Sequence, residues 1–148
     1  MKRAIITDLD GTLSIASNRR YSEFERVITD TPDPIVREVL HGLTQANNAV
    51  LIAMTGRPDV GNCREDSRRW IEDIAQLPLE LLLMRKPEDY SPDALVKQRL
   101  FHEYVLGLYS IDLVLEDKPS VVRMWRGEGL RCFEVADNEK GRASIPLA

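Results

Sequence analysis

The sequence predicts an α/β fold, a doubly wound, Rossmann-like parallel sheet of about five strands. Short apolar runs of strand length recur along the chain, as in "AII", "AVLIAM", "LELLLM" and "IDLVLE". Strands covered on both faces read as continuous apolar runs, the mark of a parallel sheet. Amphipathic stretches at helical spacing separate these runs, which is the pattern of helices packed on both sides of one sheet. At 148 residues, 43% hydrophobic and 30% charged, residues 1–148 are expected to form one globular domain with a core of its own.

Taken in order, residues 3–8 read as a short buried strand. Residues 13–30 are polar and without clear period, an extended loop or small hairpin. Pro32 and Pro34 introduce a helix with Ile35, Val36, Val39, Leu40 and Leu43 on one face. Residues 49–54 form a second strand, ending in Thr55-Gly56-Arg57-Pro58. A helix over 64–75 turns Trp70, Ile71 and Ile74 inward, and 79–84 is a third strand. Pro92 opens a helix over 92–106, where Leu95, Val96, Leu100, Phe101, Tyr104 and Val105 recur at helical spacing. A fourth strand at 111–116, a helix at 119–127 and a fifth strand at 130–135 complete the pattern. No internal repeat, low-complexity segment or linker interrupts it.

Composition narrows the function. No apolar run approaches the ~18 residues of a membrane helix, so no membrane partner is expected. The chain passes from Met1-Lys2-Arg3 into its first strand, so no secretory signal is expected either. The cysteines, Cys63 and Cys132, have no zinc or disulfide spacing. A cytoplasmic setting fits these features. A net charge of −4 disfavours non-specific coating of nucleic acid, which rests on many Lys and Arg. Arg26 and Arg64 are interleaved with acidic residues and read as salt-paired surface.

In open α/β sheets, ligands sit at the carboxyl ends of the strands. Those ends carry Asp8 and Asp10, then Thr55 and Arg57, then Arg85, then Glu116 and Asp117. Carboxylates gathered at one rim repel one another unless a cation joins them. Asp8, Asp10, Glu116 and Asp117 offer oxygen ligands only, which suits a hard ion such as Mg²⁺ and not zinc. Arginines and a hydroxyl complement this with donors for phosphate oxygens. The rim reads as metal-assisted phosphoryl chemistry. The "GRPDVGNC" stretch has Walker A glycine spacing, but Asn62-Cys63 stands where Lys-Ser/Thr is required. His41, His102, Trp70 and Trp125 read as ordinary helix and core residues.

"DLDGTL" with Asp8 and Asp10, "MTGR" with Thr55, Lys97, and "LEDK" with Glu116-Asp117 resemble the four motifs of the haloacid dehalogenase-like phosphohydrolases. The resemblance implies Asp8 as nucleophile forming an aspartyl-phosphate, Thr55 on the phosphoryl group and Lys97 neutralising it. It implies Mg²⁺ as cofactor, positioned by Asp117 with Glu116; Lys86 is a nearby rival for the role of Lys97. Asp10 is the general acid for a poor alkoxide leaving group, and Asp8, Glu116 and Asp117 are expected to surround it and favour its protonated form. One helix and a polar loop separate Asp10 from Thr55, and a similar length separates Thr55 from Lys97, so no cap domain is expected.

Further stretches, "DLDGTLSIASNRR", "DTPDPIVREV", "MTGRPD", "RRWIEDIAQLPLELLLMR", "PDALVKQRLF" and "LEDKPSVVRMWRGEGLRCFEVA", are similar to the 3′-phosphatase domain of phage-type polynucleotide kinase-phosphatases. That likeness covers about residues 3–140 and implies a Mg²⁺-dependent polynucleotide 3′-phosphatase acting on DNA or RNA 3′ ends. It implies substrate-binding roles for Thr12, Arg19, Gly56, Arg57, Arg85 and Asp93. Arg19, Arg57 and Arg85 are expected to reach the phosphoryl group and the neighbouring phosphodiester. Where the family has two aspartates this chain has Glu116-Asp117, and Thr55 replaces a serine. No kinase motif occurs in these 148 residues, so a stand-alone end-healing enzyme, or one working with a separate polynucleotide kinase or ligase, is expected. The competing readings are a small-molecule phosphatase of the same superfamily and a non-catalytic module for nucleic-acid ends.

Overall fold

The computed structural model describes residues 1–138; the last ten residues of the expected domain lie outside them. Five parallel strands form the sheet in the order β5-β4-β1-β6-β7. They are β1 (Lys2–Thr7), β4 (Val50–Pro58), β5 (Leu79–Arg85), β6 (Tyr109–Glu116) and β7 (Cys132–Glu134). A separate antiparallel pair, β2 (Ser14–Ile15) and β3 (Thr31–Pro32), flanks the first crossover. Helices α1 (Pro34–Asn47), α2 (Cys63–Arg69), α3 (Asp93–Tyr104) and α4 (Pro119–Gly127) supply the remaining connections. The doubly wound α/β sheet expected from the sequence is present.

The strand order explains the burial pattern. Central β1 is covered on both faces, and Ala4, Ile5 and Ile6 are each at most 1% exposed. Alternate residues of each strand feed two cores. Ile5, Leu51, Ala53 and Leu113 pack with Val36, Leu40, Trp70 and Ile71 on the α1/α2 side. Ala4, Ile6, Ile52 and Val114 pack with Val96, Phe101, Val121 and Trp125 on the α3/α4 side. Phe101 and Trp125 meet edge to face at 5.6 Å and 90°, a pairing that contributes about 1 kcal/mol beyond area burial.

Helix ends follow their local chemistry. Asp33 caps α1 through its carboxylate, which accepts from Ile35 N and Val36 N, a device worth ~1 kcal/mol. Pro34 occupies the first turn, where its missing N–H costs nothing. Asn48 ends the helix in the left-handed region at φ 51°.

Some inward-facing expectations are overturned. Ile35 is 66% exposed because α1 seats on the sheet along the Val36–Leu40 line, which turns Ile35 aside. Val39 stays on the flank for the same reason. Ile74 is exposed because the second half of the 64–75 helix is not α-helical. Trp70–Ile74 forms a π turn in which Ala75 N donates to Trp70 O at 2.9 Å. The wider turn rotates the residues after Trp70 away from the α-helical register. Leu95 and Tyr104 lie on the flanks of α3, more than a third exposed. Arg64 pairs with Asp59 and Arg26 with Glu23, partly exposed, as expected. Among the described residues no helix is long and apolar enough to cross a membrane.

Candidate active site

The carboxyl ends of β1, β4 and β6 converge. β1 ends at Thr7: Asp8 N makes a last bond to Leu115 O of β6, and the chain then enters a tight turn. In that turn Thr12 N and Ser14 N both donate to Leu9 O, and Gly11 adopts φ 82°, a conformation that favours glycine. Asp8 and Asp10 are thereby delivered buried, 7% and 8% exposed, at the sheet's centre.

Asp8 lies in the first of two charge clusters. Lys97 Nζ donates to Asp8 Oδ1 at 2.8 Å and to Glu116 Oε1 at 2.7 Å. Thr12 Oγ1 lies 3.2 Å from Asp8 Oδ2 and 3.0 Å from Asp117 Oδ1. Glu116 Oε2 accepts from the Asp117 backbone N–H. Lys97 is the lysine of the site; its rival Lys86 is exposed.

The electrostatics of this cluster call for a further cation. Asp8, Glu116 and Asp117 bring three carboxylates, with one oxygen from each lying within 4.8 Å of the others. A single ammonium, Lys97, faces them. Burial pushes Asp8 upward, but Lys97 and the hydrogen bonds from Asp117 and Glu116 outweigh it and hold the carboxyl at about 2. Burial and then the Asp8 charge push Glu116 up to about 8 and Asp117 up to about 10. Asp117 Oδ2 is buried without a hydrogen-bond partner, the kind of orphaned acceptor that a bound ion satisfies. An all-oxygen donor set with surplus negative charge fits Mg²⁺.

Asp10 belongs to a second cluster, contrary to expectation. Its carboxylate accepts from Arg57 Nη2 at 2.7 Å and Nε at 3.0 Å, and from Arg19 Nη2 at 2.9 Å. The same guanidiniums bind Asp30, Arg19 through Nε at 2.8 Å and Arg57 through Nη2 at 3.3 Å. The neighbours of Asp10 are therefore cations and not the carboxylates the sequence reading placed around it. Asp10 also stands outside the oxygen group that could hold a metal, which is Asp8, Glu116 and Asp117 among the described residues.

Arg19 and Arg57 were expected to offer donors to phosphate. Their side chains are 0% exposed. Arg19 spends its remaining donors on the carbonyls of Arg20 and Tyr21, and Arg57 on Ser67 and Ser14. A buried guanidinium in this fold needs several acceptors, and the chain supplies them all. Both arginines stand behind Asp10. Arg85 is likewise occupied, by the carbonyls of Gly56, Asp89 and Ser91 and by the Asp93 carboxylate.

Asp30 escaped the sequence reading. It lies in a stretch without periodicity, and only tertiary contact reveals it. It is 4% exposed, accepts from Ser14 Oγ as well as both arginines, and its backbone carbonyl accepts from Trp70 Nε1 at 2.8 Å. The single available signal was an aspartate directly before the Thr31-Pro32 strand. Tyr21 and Lys118 were missed too. The phenol of Tyr21 is raised above its ordinary range, by burial first and then by Asp10, Asp93 and Asp8. Lys118 Nζ pairs with Asp93 Oδ2 at 3.1 Å.

A tight cavity of about 20 Å³ lies between the clusters, lined by Asp8, Asp10, Thr55, Gly56, Lys97 and Asp117 together with Tyr21, Asp93 and Lys118. Thr55 accepts the Arg57 backbone N–H through its hydroxyl. Gly56 leaves room for Asp93, because a Cβ there would stand 2.8 Å from Asp93 Oδ1 and displace it. Among the described residues, only β2, a 3₁₀ turn (Phe24–Thr29), β3 and α1 separate Asp10 from Thr55, and no cap domain roofs the cavity.

Comparison with known proteins agrees with this geometry. The family model of the polynucleotide kinase PNKP phosphatase domain matches residues 2–139. A protein of Autographa californica nuclear polyhedrosis virus, named as a bifunctional polynucleotide kinase/RNA ligase, is 35% identical over 125 residues, 84% of this chain and 18% of its own length. A solved chain of the Pnkp1/Rnl/Hen1 RNA repair complex superposes with a TM-score of 0.84 at 34% identity, over 93% of this chain and 44% of that one. A second Pnkp1/Rnl/Hen1 complex gives a TM-score of 0.83 at 34% identity, over 92% and 46%. The chain thus spans less than half the length of these relatives. With three strand ends delivering an aspartate pair, a hydroxyl and a Glu-Asp pair to one cavity, helix α3 adding a lysine, and a family model along nearly its whole length, the chain belongs to the haloacid dehalogenase-type phosphatase domains of the polynucleotide kinase-phosphatases.

Proposed function

We propose that this chain is a Mg²⁺-dependent polynucleotide 3′-phosphatase, a phosphoric monoester hydrolase that leaves a 3′-hydroxyl on DNA or RNA. The observation that carries the reading is Asp8, ionised and held by Lys97 at the wall of an uncapped cavity that also presents Asp10. A polymer end can approach such a cavity, whereas small-substrate relatives in this superfamily commonly enclose theirs.

In the proposed reaction, a carboxylate oxygen of Asp8 forms a bond to phosphorus as the P–O3′ bond breaks. The bonding pair leaves on O3′, which takes a proton from Asp10. Water then attacks the aspartyl-phosphate, giving up a proton to Asp10, and inorganic phosphate departs with Asp8 regenerated. Lys97 and the Thr55 hydroxyl compensate phosphoryl charge as it shifts. Asp8 and Asp117, with Glu116 beside them, would hold Mg²⁺, which when bound supplies positive charge to the phosphoryl oxygens. Thr12 ties the two metal-side carboxylates together. Arg19 and Arg57, in place of the phosphate contacts expected of them, aim Asp10.

The chain's likeness to parts of kinase- and ligase-containing proteins supports RNA end healing alongside polynucleotide kinase or ligase activity. Release of phosphate from a 3′-phosphorylated oligonucleotide, compared with its 5′-phosphorylated counterpart and with nucleoside monophosphates, tests the reading. Fast turnover of the 3′ ends alone is expected. Equal turnover of 5′ ends would overturn the substrate assignment while leaving a phosphatase.

A further inference from the structure

Beside the catalytic cavity lies a groove of about 400 Å³. The two share Tyr21, Gly56, Asp93 and Lys118, so the groove adjoins the space in front of Asp8 and is open to a group esterified to a phosphoryl there. Two separate segments bring aromatic rings to it. Tyr21 and Phe24, from the segment after β2, meet edge to face at 5.8 Å and 73°. Tyr90, from the loop between β5 and α3, is 90% exposed.

The loop that carries Tyr90 is pinned. Arg85 Nη1 donates to the carbonyls of Asp89 at 2.9 Å and Ser91 at 2.6 Å, the residues on either side of Tyr90. Ser91 N donates to Asp89 Oδ1 and Asp89 N to Lys86 O. The backbone that carries the exposed ring is therefore fixed by internal bonds, so little loop-ordering entropy remains to be lost when a ligand stacks on the ring.

The charges lining the groove balance. Arg85, Lys86 and Lys118 stand against Glu88, Asp89 and Asp93. Arg85 and Lys118 are ion-paired with Asp93. Lys86 is exposed and makes no ion pair among the described residues. The groove therefore favours a flat, largely neutral ring, with one cation available for an adjoining phosphate.

We propose that this groove is a nucleobase site: the base of the 3′-terminal nucleotide stacks on Tyr90 and is flanked by Tyr21, while Lys86 meets the next phosphodiester. The inference rests on the 3′-phosphatase reading and deepens it. Stacking on an aromatic face accepts any base, so turnover is nearly independent of sequence, and the single free cation among the described groove residues gives a shallow salt dependence.

The test compares kcat/KM for two 3′-phosphorylated oligonucleotides, one ending in thymidine and one in a tetrahydrofuran abasic residue. The native protein favours the first by about tenfold, the scale of one base–aromatic stack. Tyr90→Ala, a surface change that leaves the fold intact, brings that ratio close to one, and Tyr90→Phe restores it. Lys86→Ala reduces the slope of log(kcat/KM) against log[salt] by about 0.7, one single-strand phosphate contact. Equal rates on the two oligonucleotides in the native protein, or a ratio unchanged by Tyr90→Ala, overturn the nucleobase site and leave the phosphatase reading standing. Hydrolysis of glycerol 2-phosphate with no release from either oligonucleotide overturns the polynucleotide reading and the groove with it.

Discussion

Asp30 stands behind Asp10 across a shared pair of guanidiniums. Arg19 and Arg57 each bind both carboxylates, and all four side chains are no more than 7% exposed. With Asp10 ionised, two cations balance two anions and the group is neutral as a whole. Asp10 is thereby held in one orientation beside Asp8 without a net charge buried around it.

Asp30→Asn keeps the shape but removes one anion, leaving two guanidiniums on Asp10 alone. Breaking a buried pair typically costs about 3–5 kcal/mol, and an isostere that still accepts hydrogen bonds should cost less, roughly 2 kcal/mol. Turnover of an alkyl phosphate is expected to fall at least tenfold more than turnover of p-nitrophenyl phosphate, because in the proposed reaction only the former needs a proton from Asp10. Steady-state kinetics on both esters check this. An equal fall would reduce Asp30 to a structural residue.

Asp8→Asn and Asp10→Asn should both abolish hydrolysis of an oligonucleotide 3′-phosphate. They separate on leaving group. Asp8→Asn should lose the proposed nucleophile and be inert toward every ester, whereas Asp10→Asn should retain measurable activity toward p-nitrophenyl phosphate. Identical residual rates on both substrates would remove Asp10 from its role as general acid.

Metal binding is readable from stability as well as from activity. Glu116 and Asp117, raised to about 8 and about 10, hold protons in the folded protein that they release in the unfolded chain. The folded state binds more protons between about pH 4 and those values, so the protein in EDTA loses stability as pH rises through neutrality. Mg²⁺ requires the deprotonated carboxylates and should raise Tm progressively more at higher pH. Asp117→Ala should abolish both the Mg²⁺ increment and catalysis. It should leave Tm in EDTA unchanged or higher, since it deletes the unpartnered Oδ2. Full activity in EDTA would sink the metal assignment.

Gly56→Ala drives a methyl group to within 2.8 Å of Asp93 Oδ1. Asp93 must retreat and loosen its pairs with Arg85 and Lys118. Because Arg85 also pins the Tyr90 loop, the expected result is a rise in KM for oligonucleotides several times larger than any change in kcat on p-nitrophenyl phosphate. Steady-state kinetics on the two substrates check this, and a uniform loss of kcat would place the damage at Asp8 or Thr55 instead.

The Tyr90 loop and Asp30 mark where legibility in the sequence ends. Apolar runs such as "AVLIAM" declare buried strands whatever their neighbours, because a strand covered on both faces has no polar side to show. Helical period locates α1, α3 and α4 for the same reason. The strand-end rule then puts Asp8, Asp10, Thr55 and Glu116-Asp117 on one rim. The period fails at Ile74, where a π turn changes the residues per turn, and at Ile35, where helix seating outweighs local pattern.

The sequence by itself determined the parallel sheet and the set of residues at its carboxyl end, since hydrophobic periodicity and chain order are local properties. Only the tertiary structure decided how the charges there are partnered. Arg19 and Arg57 are as suitable for phosphate as for carboxylate, and nothing local chooses between them. The choice is made by Asp30, distant in sequence from Arg57 and brought behind Asp10 where the β2/β3 pair closes and Trp70 binds its carbonyl. A buried guanidinium must satisfy its donors with whatever acceptors the fold delivers, and here the fold delivers two aspartates.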